Sequence, residues 1–459
     1  MDSLRFLAAR WVLPVSGRSI ENGVVALQDR EIVAVLPRQD LARRFPGAQL
    51  EDHGQAIITP GLINLHTHLD YSALALFDNE SSLFAWIKGL VGRASGWSPD
   101  EWRQSALAGA EEIALSGTTC VCDSSLTGQA AWALARLGLR GVVGLELFGV
   151  SPGEAGARWQ DWLARREALA SAADPALSSA LASGLVRLTV APHAPYTVCP
   201  QLWEMARDWA EREDLPVLAH LSESDAECRW IAGQDHDLDN FLETMTPGGI
   251  PGGARSLSWR GHGLSPVAHL AAHRLLTSRT IAAHAVKVDD RDLELLAARG
   301  TAVAHCPRSN ARLRNGVAPL ARMAESSIRL GFGTDSAAST DNLDVLAEAR
   351  FALAVQRAID PGFSWSAERA FHHLTLGAAE ALGLAGQIGS LEPGKRADIA
   401  VFQVERPAPA AASRPYDLLI YGQTCISELI VDGRTVVGGG VVKPAGEAPR
   451  AGTAAAAGD

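Results

Sequence analysis

Lysine is nearly missing from this 459-residue chain: Lys88, Lys287, Lys395 and Lys443 are all it has, and arginine supplies the rest of the 41 positive charges. Schiff-base chemistry and carboxylated-lysine metal bridges are therefore poorly provided for. Against 52 acidic residues the formal net charge is −11, which argues against the dense cationic surface that a nucleic acid or an anionic membrane requires. No window reaches the roughly twenty unbroken apolar residues of a membrane span. The stretch from Met1 to Gly17 is interrupted by Arg5, Arg10 and Pro14 and lacks a small-residue cleavage site, so it does not read as a signal peptide. The cysteines, Cys120, Cys122, Cys199, Cys228, Cys306 and Cys425, are scattered in or beside apolar runs and read as reduced thiols rather than paired bridges. These absences lead to the expectation of a cytoplasmic protein with a small-molecule partner, no nucleic acid and no membrane.

What is present has two textures. Residues 4–58 alternate apolar and polar over short stretches such as Gly23-Val24-Val25-Ala26-Leu27, separated by turn residues, and the same character returns after residue 388. The two ends, 1–58 and 388–444, are expected to join in one small β-sandwich. Between them, over 59–387, strand-length apolar runs alternate with helical stretches rich in Ala, Leu, Glu and Arg, the βα rhythm of a parallel sheet. Eight runs can be counted, around 57–65, 118–122, 141–148, 186–192, 216–221, 280–284, 301–306 and 329–334, and eight units predict an α/β fold with a closed (β/α)8 TIM barrel. The Gly- and Pro-rich stretch 233–266 breaks the rhythm and reads as a loop over the active site. The Ala- and Gly-rich tail 445–459 reads as disordered.

Chemistry collects where the runs end. His66 and His68 close the first, His220 the fifth, His284 the sixth and Asp335 the eighth, all on the face where barrel active sites form. Side chains two apart on a strand share a face, so His66 and His68 can reach one ion. Neutral imidazole and carboxylate suit zinc or ferrous iron, and a set that leaves room for water is catalytic rather than structural. A lone strand-end histidine is usually just hydrogen-bonded; the recurrence of the pattern at several strand ends weakens that reading. From spacing alone His284 serves equally as a ligand or as a proton partner of water.

Glu223, three residues after His220, can stand beside an ion without binding it, whereas Glu227 reads as a solvated or lid residue. His193, held between Pro192 and Pro195, suits substrate contact. Trp86 can stack on a base or pack in the core. Arg308 can meet a substrate carboxylate or form a structural ion pair. His305 is balanced between structure and function, and His53, His236, His262, His269, His273, His372 and His373 read as surface or packing residues.

Together, Gly61-Leu62-Ile63-Asn64-Leu65-His66-Thr67-His68, His220-Leu221-Ser222-Glu223, Ala283-His284 and Gly333-Thr334-Asp335 resemble the amidohydrolase superfamily, in its branch of metal-dependent aminohydrolases and chlorohydrolases. The resemblance implies one divalent ion, zinc first and iron second, held by His66, His68, His220 and Asp335. It also implies Glu223, His284 and Asp335 as catalytic groups, substrate near His193, and a homodimer. The segment Ala182–Ala191 has no lysine, which favours a mononuclear centre, and Cys120-Val121-Cys122 lacks the Pro-Cys-x-x-Cys spacing of the other zinc deaminase fold.

The likeness extends to deaminases of 5′-modified adenosines, those acting on 6-aminodeoxyfutalosine, adenosylhomocysteine or methylthioadenosine; His193-Ala194-Pro195-Tyr196-Thr197 and Cys306-Pro307-Arg308-Ser309-Asn310 are patterns they share and do not select among them. The implied activity is hydrolytic removal of an amino group by water that the ion activates. Triazine hydrolysis and guanine or pterin deamination would use the same centre with a different pocket. A non-catalytic assembly protein of this fold would be expected to have lost ligands, and none is missing here.

Overall fold

In the computed structural model, residues 4–78, 81–246, 248–406 and 413–444 are described. The tail expectation for 445–459 lies outside them. Two sheets carry the fold: a nine-stranded mixed sheet drawn from both chain ends and an eight-stranded parallel sheet between them. In the mixed sheet the two ends meet where Ile57–Pro60 pairs antiparallel with Ile399–Val404, while Ile57 and Ile58 run parallel to Trp11 and Val12. Leu7, Val25, Leu27, Ile58, Ile399 and Val401 share one core on this sheet. Their burial explains the short alternating runs at both ends of the sequence.

The parallel sheet consists of Leu62–Thr67, Thr118–Ser125, Arg140–Leu147, Val186–Pro192, Val217–Leu221, Thr280–His284, Ala302–His305 and Leu330–Phe332 in sequential order. Every residue of these strands is buried except Arg187, as expected for strands covered on both faces. The ring closes between its last and first members. Asp335 N–H donates to the His66 carbonyl at 2.9 Å, and Thr67 bridges Asp335 in parallel. Gly333 permits this closure, because a Cβ there would stand 2.7–2.9 Å from the Cβ and backbone of His66. The barrel interior holds Leu65, Cys122, Val142, Leu218, Ile281 and Ala304, packed against Ala378 and Ala379.

The first apolar run, expected as one strand over 57–65, is divided between the two sheets at Gly61. A side chain at Gly61 would collide with Thr119, at 2.0 Å from its hydroxyl, so the turn from one sheet into the other passes through the one residue without a Cβ. The 233–266 stretch contains a helix, Asp239–Met245, and Phe241, Leu242, Met245 and Thr246 face the central cavity described below. None of the six cysteines is paired; four are buried, Cys228 is half-buried and Cys425 is exposed. No helix among the described residues is long and apolar enough to cross a membrane.

Candidate active site

Four side chains from far-separated strand ends converge at one rim of the barrel: His66, His68, His220 and Asp335 each offer one ligand atom, all within 4.8 Å of one another. The His68 and His220 Nε2 atoms are 3.1 Å apart, and Asp335 Oδ1 lies 3.6 Å from His66 Nε2 and 3.5 Å from His68 Nε2. His220 Nδ1 donates to the His193 carbonyl at 2.9 Å, which leaves a bare lone pair on its Nε2. His66 Nε2 is buried with no hydrogen-bond partner. Burial holds His66 below the usual imidazole range, His68 well below it, and His220 at about 4, so all three rings are neutral.

Burial acts to raise the Asp335 carboxyl, but the imidazoles facing it, His66 first and then His284 and His68, carry it well below the usual carboxylate range. Its other oxygen, Oδ2, accepts from Ser309 Oγ at 2.6 Å and Ser339 Oγ at 2.8 Å. Neutral lone pairs and a carboxylate facing one point repel unless a cation lies between them. The donor set thus fits a divalent metal, with its second oxygen and ring nitrogen already oriented from behind.

Beside this group stand the proposed proton carriers. His284 Nδ1 lies 2.8 Å from Asn310 Oδ1, and its Nε2 faces Glu223 Oε1 at 3.9 Å. Burial keeps the His284 imidazole neutral, with its pKa at about 4. Burial, then the charges of Asp335 and Glu227, pushes the Glu223 carboxyl well above its ordinary value, while Asn315 Nδ2 donates to its Oε1 at 2.9 Å. The backbone is strained at these positions: Ser222, His284, Ala285 and Asp335 have φ of 51°, 72°, 45° and 60°, conformations that side-chain-bearing residues adopt at a cost of order 1–3 kcal/mol each.

Residues 57–436 match the Amidohydrolase family. Over 436 residues, 93% of this chain and 90% of the relative, the sequence is 32% identical to a 5-methylthioadenosine/S-adenosylhomocysteine deaminase of Syntrophobacter fumaroxidans. The chain belongs to the amidohydrolase family. Its structure is similar to an adenosine deaminase from Xanthomonas campestris with bound zinc, at a TM-score of 0.76 and 26% identity over 95% and 94% of the two chains. It is also similar to the zinc complex of an atrazine chlorohydrolase from Arthrobacter aurescens, with a TM-score of 0.77 over 96% and 97% of the chains; at 24% identity that likeness is one of fold. Amidohydrolases are metal-dependent, and this amidohydrolase is a hydrolase acting on C–N bonds.

A cavity of about 390 Å³, lined by His68, His220 and Asp335 of the converging group, opens at this rim of the amidohydrolase. His193 lines it, stacked on Phe148 at 4.9 Å, with its Nδ1 2.9 Å from Thr197 Oγ1. Trp86 lines it too, while packing against Tyr71, Leu83 and Leu90; its indole Nε1 is buried without a partner. Wall and core are the same surface at Trp86.

Arg308 is placed elsewhere, which corrects its reading as a substrate contact. Its Nε donates to Glu348 Oε1 at 2.6 Å, Nη1 reaches Asp341 and Asn342, and Nη2 donates to the Asn342 carbonyl at 2.9 Å, so the guanidinium is consumed by structure. The arginines that do line the cavity are Arg158 and Arg165.

Glu227 is also corrected. It is 1% exposed, and its two oxygens accept from Ser222 N–H at 3.0 Å and Glu223 N–H at 2.8 Å. The signal was present as Ser224-x-x-Glu227, a capping-box spacing, since Ser224 caps the helix Asp225–Ala232 through Glu227 N–H.

Sequence reasoning missed Glu146 altogether. It is the last but one residue of the third barrel strand, lines the cavity and lies 3.9 Å from His68 Nδ1.

Proposed function

We propose that this amidohydrolase is a hydrolytic deaminase of an aminopurine nucleoside bearing a modified 5′ group, releasing ammonia and leaving a carbonyl at the attacked carbon. The observation that carries the reading is the placement of Glu223, a buried carboxyl whose pKa burial raises, 3.9 Å from His284 and lining the same cavity as His68, His220 and Asp335. The 32% identity to a deaminase of methylthioadenosine and adenosylhomocysteine supports the same substrate class. A cavity of about 390 Å³ with Trp86, Phe148, Leu90 and Phe241 in its wall suits a planar base and an extended substituent.

His66, His68, His220 and Asp335 would hold one divalent ion, zinc in preference to iron, which when bound supplies the Lewis acidity that lowers the pKa of water from about 15.7 towards about 7. The remaining steps belong to the chain. Glu223 gives its carboxyl proton to the ring nitrogen next to the amino-bearing carbon, so that negative charge does not build on the ring. His284 Nε2 and Asp335 Oδ1 accept the proton that attacking water releases. The proton held by His284 or Asp335 passes through Glu223 to the departing amine as the C–N bond breaks, and the hydroxyl proton lost as the carbonyl forms returns Glu223 to its acid form. His193 and Trp86 orient the base against this edge.

The test is metal analysis of the purified protein combined with an ammonia-release screen. The panel contains methylthioadenosine, adenosylhomocysteine, 6-aminodeoxyfutalosine, guanine and an amino-triazine. About one equivalent of zinc and highest kcat/KM on a 5′-modified adenosine is the expected result. Turnover confined to guanine or the triazine would overturn the substrate class, and a protein that binds no metal under any loading would overturn the mechanism.

A further inference from the structure

His305 is a chemical oddity outside the reaction centre. It ends the seventh barrel strand at 1% exposure, and neither ring nitrogen has a hydrogen-bond partner. Asn310, also 1% exposed, has its Oδ1 on His284 Nδ1 but its amide nitrogen Nδ2 unpartnered. Both residues line one small cavity, with about 10 Å³ open to the centre of a water molecule and apolar side chains such as Val317, Phe351 and Val355 around it. A buried donor or acceptor left bare costs about 1–3 kcal/mol, and two residues that carry such atoms and line one void are an arrangement that a polar guest relieves. The room suits a single water, which needs two to four polar partners.

We infer that this cavity is a site for one internal water that accepts from Asn310 Nδ2–H and donates to the ring lone pair of His305, making His305 a positioning residue for His284. The consequence lies in the amide. With Asn310 Oδ1 towards His284, the His284 Nδ1 must carry the hydrogen and Nε2 presents a lone pair towards Glu223 and the metal group. With the amide reversed, Nε2 would carry the hydrogen and could accept no proton. The water gives the Asn310 amino group somewhere to donate, and His305 gives the water somewhere to donate in turn. Burial, which lowers His305 to a pKa of about 3, keeps that ring neutral and its lone pair available.

This inference rests on the reading of His284 as a proton acceptor, but its test does not depend on any substrate. In ¹⁵N-histidine-labelled, zinc-loaded full-length protein, long-range ¹H–¹⁵N correlation spectra report the tautomer of each ring, with His284 assigned by its loss in His284→Gln. The expected wild-type pattern is hydrogen on Nδ1 and a lone pair on Nε2. His305→Phe, which keeps a ring but no nitrogens, is expected to mix the two His284 tautomers and to lower kcat about 10- to 100-fold with KM unchanged, the scale of a lost supporting hydrogen bond. At least one of His305→Gln and His305→Asn, which restore an acceptor, should recover most of the rate. A folded His305→Phe protein with the wild-type His284 tautomer would overturn the inference. So would a high-resolution crystal structure of the wild type without a water between Asn310 and His305, a measurement that no folding defect can obscure. Absence of turnover on every substrate alongside an intact tautomer effect would instead count against the proposed function alone.

Discussion

Glu227 holds the backbone of Glu223: one of its oxygens accepts from the Glu223 N–H at 2.8 Å while the other takes that of Ser222 at 3.0 Å. The clamp fixes the φ of 51° at Ser222, and so decides where the Glu223 side chain begins. Glu227→Gln can satisfy only one of the two N–H groups. It is expected to lose about 1–3 kcal/mol of stability and to lower kcat more than it raises KM. Denaturant melts and steady-state kinetics check this; wild-type values of both would show that the clamp is idle.

Glu223→Gln keeps the shape and the contact with Asn315 but cannot cycle a proton. The variant should bind metal at the wild-type stoichiometry and lose roughly 10²–10⁴ in kcat. Normal turnover with intact metal would remove Glu223 from the mechanism.

The pH dependence of kcat/KM follows from two opposite shifts. His284 must be neutral to accept a proton, so activity is present above its pKa of about 4 and is lost as pH falls through that value. Glu223 must be protonated to donate, so activity is lost as pH rises through a value well above the ordinary 4.5 of glutamate. The expected profile is a plateau bounded on the acid side near 4. An acid limb already at the ordinary imidazole value of 6.5 would contradict the assignment of His284.

Arg308→Ala should act on stability and not on substrate. It strips the partner from Glu348, which is 0% exposed and bonded at 2.6 Å, and breaking one side of a buried pair costs about 3–5 kcal/mol. Thermal melts should show the loss while KM of the folded fraction stays at the wild-type value; a raised KM at unchanged stability would restore Arg308 to the substrate.

Glu146 makes no hydrogen bond through its carboxyl among the described residues, and burial together with the Asp70 charge raises it to a pKa of about 8. A group left uncompensated in the resting protein and facing the cavity is a mark of function traded against stability. Glu146→Leu is therefore expected to raise the melting temperature while lowering kcat/KM. A variant that is less stable, or equally active, would give Glu146 a structural role.

The barrel was legible because its strands are covered on both faces and so read as continuous apolar runs, and each ligand stands where such a run stops. His66, His68, His220 and Asp335 meet in space as their strand-end positions suggested. Long-range partnership was not legible. Nothing near Arg308 in sequence announces Glu348, forty residues on, and an acidic residue on a short helix reads as solvated until the N–H groups it serves are seen, as at Glu227. The division of the first run at Gly61 was hidden for the same reason, since it depends on Thr119 arriving from the next strand.

The seam between Asp335 and His66 joins the last strand to the first, and the same two residues carry donor atoms of the candidate metal group. A nascent chain that has not yet emitted its eighth strand possesses three imidazoles but no closed circle to aim them. Closing the barrel and bringing the Asp335 carboxylate up to the His66 ring are thereby one structural event.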